Sequence, residues 1–299
     1  MYRYAIDNQE ELKEGVTRVL KEQFEYIEHL TAIPDDIDTS VHEIRKAIKR
    51  IRAILRLVRW DIGEELYQAE NMHFRDLARQ LSQLRDYHVI ITYLADNFEA
   101  KELKIPEDKF ISLVNHLNIQ KEAELKRIID SQTLESIREQ MQVSINEISK
   151  YPFDYLGPHT IRQGVSNAYA QCLKKISDAQ LKLDDNQLHL LRKRVKYLLN
   201  QMILIQEVWP DFFKTYSTSL KRASDLLGDD HNISETIILI SQLPDSVISE
   251  NDRNNLIDSF NSERDHLHRE IWPLLGKLFT EDTQSFVKRI TSYWLISRE

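Results

Sequence analysis

The chain has 299 residues, 41% apolar and 29% charged, which suits a packed core in one large or two medium domains and argues against disorder. Thirteen residues are Gly or Pro, about 4% where average usage is about 12%, too few for a turn-rich sheet protein. The net charge of −8 argues, taken alone, against a polyanionic partner.

Helical periodicity runs through nearly the whole chain. It predicts helices over 8–31, 38–60, 64–82, 84–98, 107–118 and 120–148 in the first half. In the second half it predicts 158–180, 186–208, 211–227, 231–243, 250–278 and 281–297. Pro34 with Asp35, Asp36 and Asp38 breaks the first pair and offers N-cap residues. The stretch Tyr151-Pro152-Phe153-Asp154-Tyr155-Leu156-Gly157-Pro158 is the strongest mid-chain break. Gly228-Asp229-Asp230 reads as a C-cap glycine followed by acidic N-cap residues. Nothing resembles GxGxxG or GxxxxGK[ST], so Rossmann and P-loop chemistry is excluded. A single cysteine, Cys172, rules out an internal disulfide or a Cys-rich metal site. Neither a secretory leader nor a spanning apolar run is visible, so the expected class is all-α and the expected location cytoplasmic.

The two halves repeat each other. Leu12-Lys13-Glu14-Gly15-Val16 matches Ile161-Arg162-Gln163-Gly164-Val165. His42-x-x-Arg45-Lys46-x-x-Lys49 matches His189-x-x-Arg192-Lys193-x-x-Lys196. Leu84-Arg85-Asp86-Tyr87-His88 matches Leu227-Gly228-Asp229-Asp230-His231, and Arg79 matches Arg222. Three matches in order predict two helical bundles, 1–150 and 151–299, facing each other about a pseudo-twofold axis.

Charge is concentrated in the matched segments. Residues 41–60 hold seven Lys or Arg against Glu43 alone, and residues 189–196 hold Arg192, Lys193, Arg194 and Lys196 with no acid. On a helical wheel His42, Arg45, Lys46, Lys49, Arg52 and Arg56 fall in one stripe about 120° wide. Arg50 and Arg59 flank it. Ile44, Ile48, Ile51, Leu55 and Val58 fall opposite and form the expected core face. In the second half His189, Arg192, Lys193 and Lys196 repeat the stripe, extended by Asn200, over a core face of Leu191, Val195, Leu198 and Met202. A charged helical face is ordinarily a solvated one, but such faces mix signs. Like charges at i,i+3 and i,i+4 repel, and folding alone gives no reason to tolerate that twice at matched positions. A polyanion that neutralises the stripe does.

Histidines at matched positions raise the question of a metal. Flanking Arg and Lys repel a divalent cation and favour neutral imidazole, so no metal site and no cofactor are expected. His88 and His231, beside Asp86 and Asp229, read as structural polar contacts or helix starts. His266-x-His268 has no repeat partner. HExxH and G-x-S-x-G are absent, and no catalytic residue can be assigned.

The His42–Arg56 segment, followed by Leu81-Ser82-Gln83-Leu84-Arg85-Asp86-Tyr87-His88-Val89, resembles the CHAD family, the conserved histidine α-helical domain. The second-half copies resemble its second repeat, so the resemblance covers essentially the whole chain. It implies an all-α fold of two four-helix-bundle repeats related by an internal pseudo-twofold, with a basic central surface that binds inorganic polyphosphate. Some relatives associate with polyphosphate granules, and some are fused to a triphosphate-tunnel domain, whose E-x-E-x-K strand pattern does not occur here. Carried over by motif, the binding set is His42, Arg45, Lys46, Lys49, Arg52, Arg56, Arg79, Arg85, His189, Arg192, Lys193, Lys196 and Arg222, with Lys221 and Arg162 as supplements. Gly228 stands where the second repeat would carry the partner of Arg85, and Tyr197 where it would carry that of Arg50; both departures imply weaker binding there. Two alternatives stay open: a phosphoanhydride-processing enzyme or phosphohistidine protein, and a nucleic-acid-binding module. The second would want aromatic side chains among the cations, and residues 41–56 contain none.

Overall fold

The structure is a computed structural model that describes residues 2–32, 36–99 and 105–298. Among the described residues all regular structure is helical. The first half carries α1 (Leu12–Ala32), α2 (Ile37–Leu57), the short α3 (Arg59–Ile62), α4 (Glu64–Gln80), α5 (Ser82–Glu99), α6 (Glu107–Asp130) and α7 (Thr133–Glu147). Two 3-10 turns, Ile148–Lys150 and Phe153–Tyr155, lead across the mid-chain break. The second half carries α8 (Pro158–Leu181), α9 (Asp185–Leu204), α10 (Pro210–Ser241), α11 (Glu250–Leu278) and α12 (Thr283–Ile296).

Local chemistry sets most helix starts. Asp36 caps α2 by accepting from the backbone N–H groups of Asp38 (3.1 Å) and Thr39 (3.3 Å). Pro34 and Asp35, expected to share that role, lie outside the described residues. Asp184 caps α9 through Gln187 N–H (2.8 Å), and Asp282 caps α12 through Ser285 N–H (2.9 Å). Pro158 and Pro210 open α8 and α10, where a missing N–H costs nothing.

Three boundaries differ from the sequence expectation. The break expected near residue 119 does not occur, because nothing in Asn118-Ile119 interrupts the ladder. The chain turns instead at Ser131-Gln132, where Gln132 adopts a left-handed conformation (φ 51°). Gly228-Asp229-Asp230 is neither a stop nor a start: α10 runs straight through it. A mid-helix glycine costs about 1 kcal/mol of propensity. Tertiary contacts outweigh that: Asp230 is buried and accepts from Arg264 Nε (2.9 Å) and His268 Nε2 (2.7 Å) on α11. Residues 8–11 are not helical; they end a strap that leads into α1.

The halves are packed together. Helix α1 lies against α2 and α7, and α8 against α9 and α12; α2 then contacts both α8 and α9, while α5 contacts α10. Gly164 of α8 lets the backbones approach, since a Cβ there would lie 2.7 Å from the carbonyl oxygen of Leu57. The N-terminal strap crosses over as well. Ile6 N–H donates to Leu204 O (2.7 Å), and Arg3 pairs with Glu207 (3.0 Å). Asp61 beside α8 pairs with His159 (2.8 Å). Buried apolar side chains from both halves merge into one core. The predicted core faces are buried throughout: Ile44, Ile48, Ile51, Leu55 and Val58 on the first side, Leu191, Val195, Leu198 and Met202 on the second. Burying such a side chain fully is worth about 1.5–3 kcal/mol. That fixes the rotation of α2 and α9, and so decides where their cations point.

Candidate anion-binding trough

Because α2 and α9 pack against each other, their cationic rows come together across the halves. Lys49 lies within electrostatic range of Lys196, Arg45, Arg192 and Arg85. Lys196 in turn feels Arg192, Lys221 and Arg85. Further along, Lys193 faces Arg52, and Arg56 faces Arg194. The guanidinium of Arg56 sits 3.8 Å from the centre of the Tyr197 ring, a cation–π contact that joins the two rows directly.

Most of these cations lack an acidic partner. Arg45 donates to the backbone carbonyl of Ala78 (2.6 Å), Arg52 to the amide oxygen of Asn71 (3.1 Å) and Arg56 to Arg52 O (2.7 Å). Lys49, Arg85, Arg192, Lys193 and Lys196 make no hydrogen bond or ion pair through their side chains among the described residues, and Nε of Arg192 is a buried donor without an acceptor. Lys46 is the exception, pairing with Glu43 (3.0 Å). Glu43 also lies 3.8 Å from His42, so that face of α2 is not free of carboxylate.

Electrostatics follow from this crowding. Burial, then the field of Lys196, Arg45 and Arg192, holds Lys49 well below the ordinary lysine value. Burial, with Arg192 next, brings Lys196 down to about 8. Arg45, Arg56, Arg85 and Arg192 are pushed down too, burial being the main cause in each. Imidazoles respond as expected: burial and then Arg85 lower His42, while burial, Lys193 and Arg192 bring His189 down to about 4. His189 packs against His231 with ring centres 4.2 Å apart and planes tilted by 42°, and burial and Arg192 hold His231 at about 3. Both rings are therefore neutral near pH 7.

The remaining predicted residues are placed differently. Arg79 is exposed beside Asp76 (4.0 Å), and Arg222 is exposed and pairs with Glu270 (3.0 Å). Arg79 is linked to the cluster only through Asp76, which also lies in the field of Arg52, and no interaction among the described residues ties Arg222 to it. Lys221 does face it, although it also pairs with Asp225 (2.6 Å). His88 sits inside α5 and contacts Asp38 (3.1 Å), so it is a structural contact and not a helix start.

Three contributors escape a wheel-based reading. Arg194 falls off the stripe yet lies beside Arg56 at the junction of α2, α8 and α9. Tyr197, read from sequence as a lost cation, is the ring on which Arg56 rests. Gly228, read likewise, leaves room for a cation: a Cβ there would lie 3.5 Å from Nε and Nη2 of Arg192, so a longer side chain would occupy that guanidinium's position.

Comparison with known proteins agrees with this architecture. The family model described as the CHAD domain matches residues 18–240. The chain belongs to the CHAD family. Among solved structures, the CHAD domain from the plant Ricinus communis superposes with a TM-score of 0.61 at 16% identity, covering 91% of this chain and 95% of that one. At that identity the likeness establishes the shared CHAD fold. No curated protein matches the chain. As in the sequence reading, no helix among the described residues is long and apolar enough to cross a membrane.

Proposed function

We propose that this CHAD protein binds inorganic polyphosphate in the trough between α2 and α9. One observation carries the reading: two cationic rows, from distant parts of the chain, meet at a site where Lys49, Arg192 and Lys196 have no hydrogen-bonded carboxylate. Arginine offers forked donors to phosphate oxygens and lysine a compact point charge. A chain of phosphates supplies the negative charge density that such a cluster lacks. The acidic remainder of the protein confines that attraction to the trough. The role is binding, not turnover: these groups hold an anion and cleave nothing. A cytoplasmic location, at polyphosphate granules or elsewhere, fits the same reading.

The site rests on two repeats, 1–150 and 151–299, arranged about a pseudo-twofold. Matched ion pairs support that arrangement. Asp38 at the start of α2 pairs with Lys121 of α6, and Asp185 at the start of α9 pairs with Arg264 of α11. Lys121 and Arg264 are separated by the same 143 residues as Asp86 and Asp229.

The test is a titration with long-chain polyphosphate against the double reversal Arg45→Glu with Arg192→Glu. Affinity should fall at least about a hundredfold, because each reversal replaces attraction with repulsion at short range. Undiminished binding by a variant with native helicity would remove the proposed site. Should that variant fail to fold, Lys193→Gln with Lys196→Gln asks the same question more gently. For the native protein log K should fall by about 0.7 per phosphate contacted for each tenfold rise in salt, by analogy with single-stranded nucleic acid. RNA and DNA should compete poorly: Tyr197, the aromatic in the α9 row, already has one ring face covered by Arg56.

A further inference from the structure

The trough contains its own anions. Asp86 follows Arg85 on α5, and Asp229 follows Gly228 on α10, at matched positions of the two halves. Asp86 lies within electrostatic range of Arg45, Lys49, Arg85 and Arg192. Asp229 lies within range of Arg192 and Lys196. Both are exposed, and neither makes a hydrogen bond or a close ion pair through its carboxylate among the described residues. A carboxylate surrounded by arginine and lysine would ordinarily be drawn into a forked contact. These two stay solvent-accessible beside the cations.

We propose that Asp86 and Asp229 are built-in counter-anions of the trough, which a polyphosphate chain displaces on binding, so that binding takes up protons. The inference rests on the polyphosphate reading and adds residues that oppose the ligand. Within the trough five cations (Arg45, Lys49, Arg85, Arg192 and Lys196) share these two carboxylates. A bound chain brings several negative charges beside them. The carboxyls then hold protons more tightly, and so do the crowded lysines, which gain further negative charge beside them.

Other charged groups act in the same direction or are already paired: Glu235 of α10 faces Asp86, and His42 of α2, His189 of α9 and His231 of α10 lie in the field of Arg85, Arg192 and Lys193. Facing Asp229 are Asp225 of α10, itself paired with Lys221, and Glu263 of α11; both are acidic and raise its proton affinity. Facing Lys49 and Lys196 from α2, α5 and α9 are Arg45, Arg85 and Arg192, and Lys221 faces Lys196 from α10. Although both reach solvent, packed helices around them desolvate the Asp86 and Asp229 carboxyls in part and push them up, against the pull of those cations. Free-state lysines sit low for the same reason. For both kinds of group the ligand raises proton affinity further, so the sign is common: affinity rises as pH falls. The limb near and above pH 8 belongs to lysine; the acidic limb is shared by Asp86 and Asp229 with His42, His189, His231 and Glu235, which sit in the same field.

Calorimetric titration with long-chain polyphosphate, in pairs of buffers with different ionisation enthalpies, counts the protons taken up. The native protein should take up protons at pH 6 and at pH 8.5, and bind about tenfold more weakly at pH 9 than at pH 6 in constant salt. Asp86→Asn with Asp229→Asn should bind about tenfold more tightly at pH 7 and take up fewer protons at pH 6, the histidine share remaining, while keeping the uptake at pH 8.5. Should the pair fail to fold, Asp229→Asn alone should bind more tightly than the native protein at pH 7 and show a smaller part of the same reduction in acidic uptake. Native binding without proton uptake, or a folded Asn variant that binds no more tightly, overturns the inference and leaves the polyphosphate reading intact. A folded native protein that binds no polyphosphate at any pH overturns both.

Discussion

The rows on α2 and α9 share a motif but are held differently. On α2, Arg45, Arg52 and Arg56 are aimed by neutral acceptors: a helix-end carbonyl, an amide and a backbone oxygen one turn back. Along α9, Arg192, Lys193 and Lys196 have no such tethers, and Arg192 is accommodated by the missing side chain of Gly228. The α2 row is thus preorganised, its entropy cost met during folding, whereas under the proposed function the α9 row would order around the anion. Identical residues in two repeats need not contribute equally, because their tertiary surroundings assign the partners.

Pulling the rows apart should have the largest effect. Gly164→Val places a branched side chain against the backbone at Leu57 and forces α8 away from α2. A loss of about 3 kcal/mol is expected in urea denaturation, with polyphosphate affinity falling alongside it. Retained stability would mean that the halves tolerate separation and the comparison loses its structural basis.

Removing a crowded cation separates stability from function. Lys49→Met should stabilise the fold by about 1 kcal/mol, since a desolvated charge disappears, while weakening polyphosphate binding about tenfold. The native protein should show the same strain with pH. A lysine held low destabilises the fold while charged. That penalty is full below its folded-state value, about 8 for Lys196, and fades as pH rises from there towards 10.5. Thermal stability without ligand should therefore gain a favourable contribution between pH 8 and 10, and saturating polyphosphate at pH 7 should raise the melting temperature. A Lys49→Met protein less stable than the native one would contradict this account.

The smallest effect tests the single tether between rows. Tyr197→Leu should cost about threefold in polyphosphate affinity, since the ring aims Arg56 without touching the ligand, and Tyr197→Phe should restore it. Equal losses in both variants would point to the hydroxyl and away from the ring beneath Arg56.

The amino-acid sequence by itself determined the helical class, the capping at Asp36, the core faces of α2 and α9, and the two matched cationic rows. Each is written in local periodicity or local hydrogen bonding, so a few turns of chain suffice to read it. Only the tertiary structure decided the rest. Propensity at Gly228 favours a stop by about 1 kcal/mol, and burial of Asp230 against Arg264 and His268 overrides it. Periodicity says which residues share a face but not which faces meet. It therefore could not separate Arg79 and Arg222 from the cluster, bring Arg194 towards it, or turn Tyr197 into the seat of Arg56. Those outcomes depend on how α2 crosses α8 and α9, and that crossing is set by packing between residues more than a hundred positions apart.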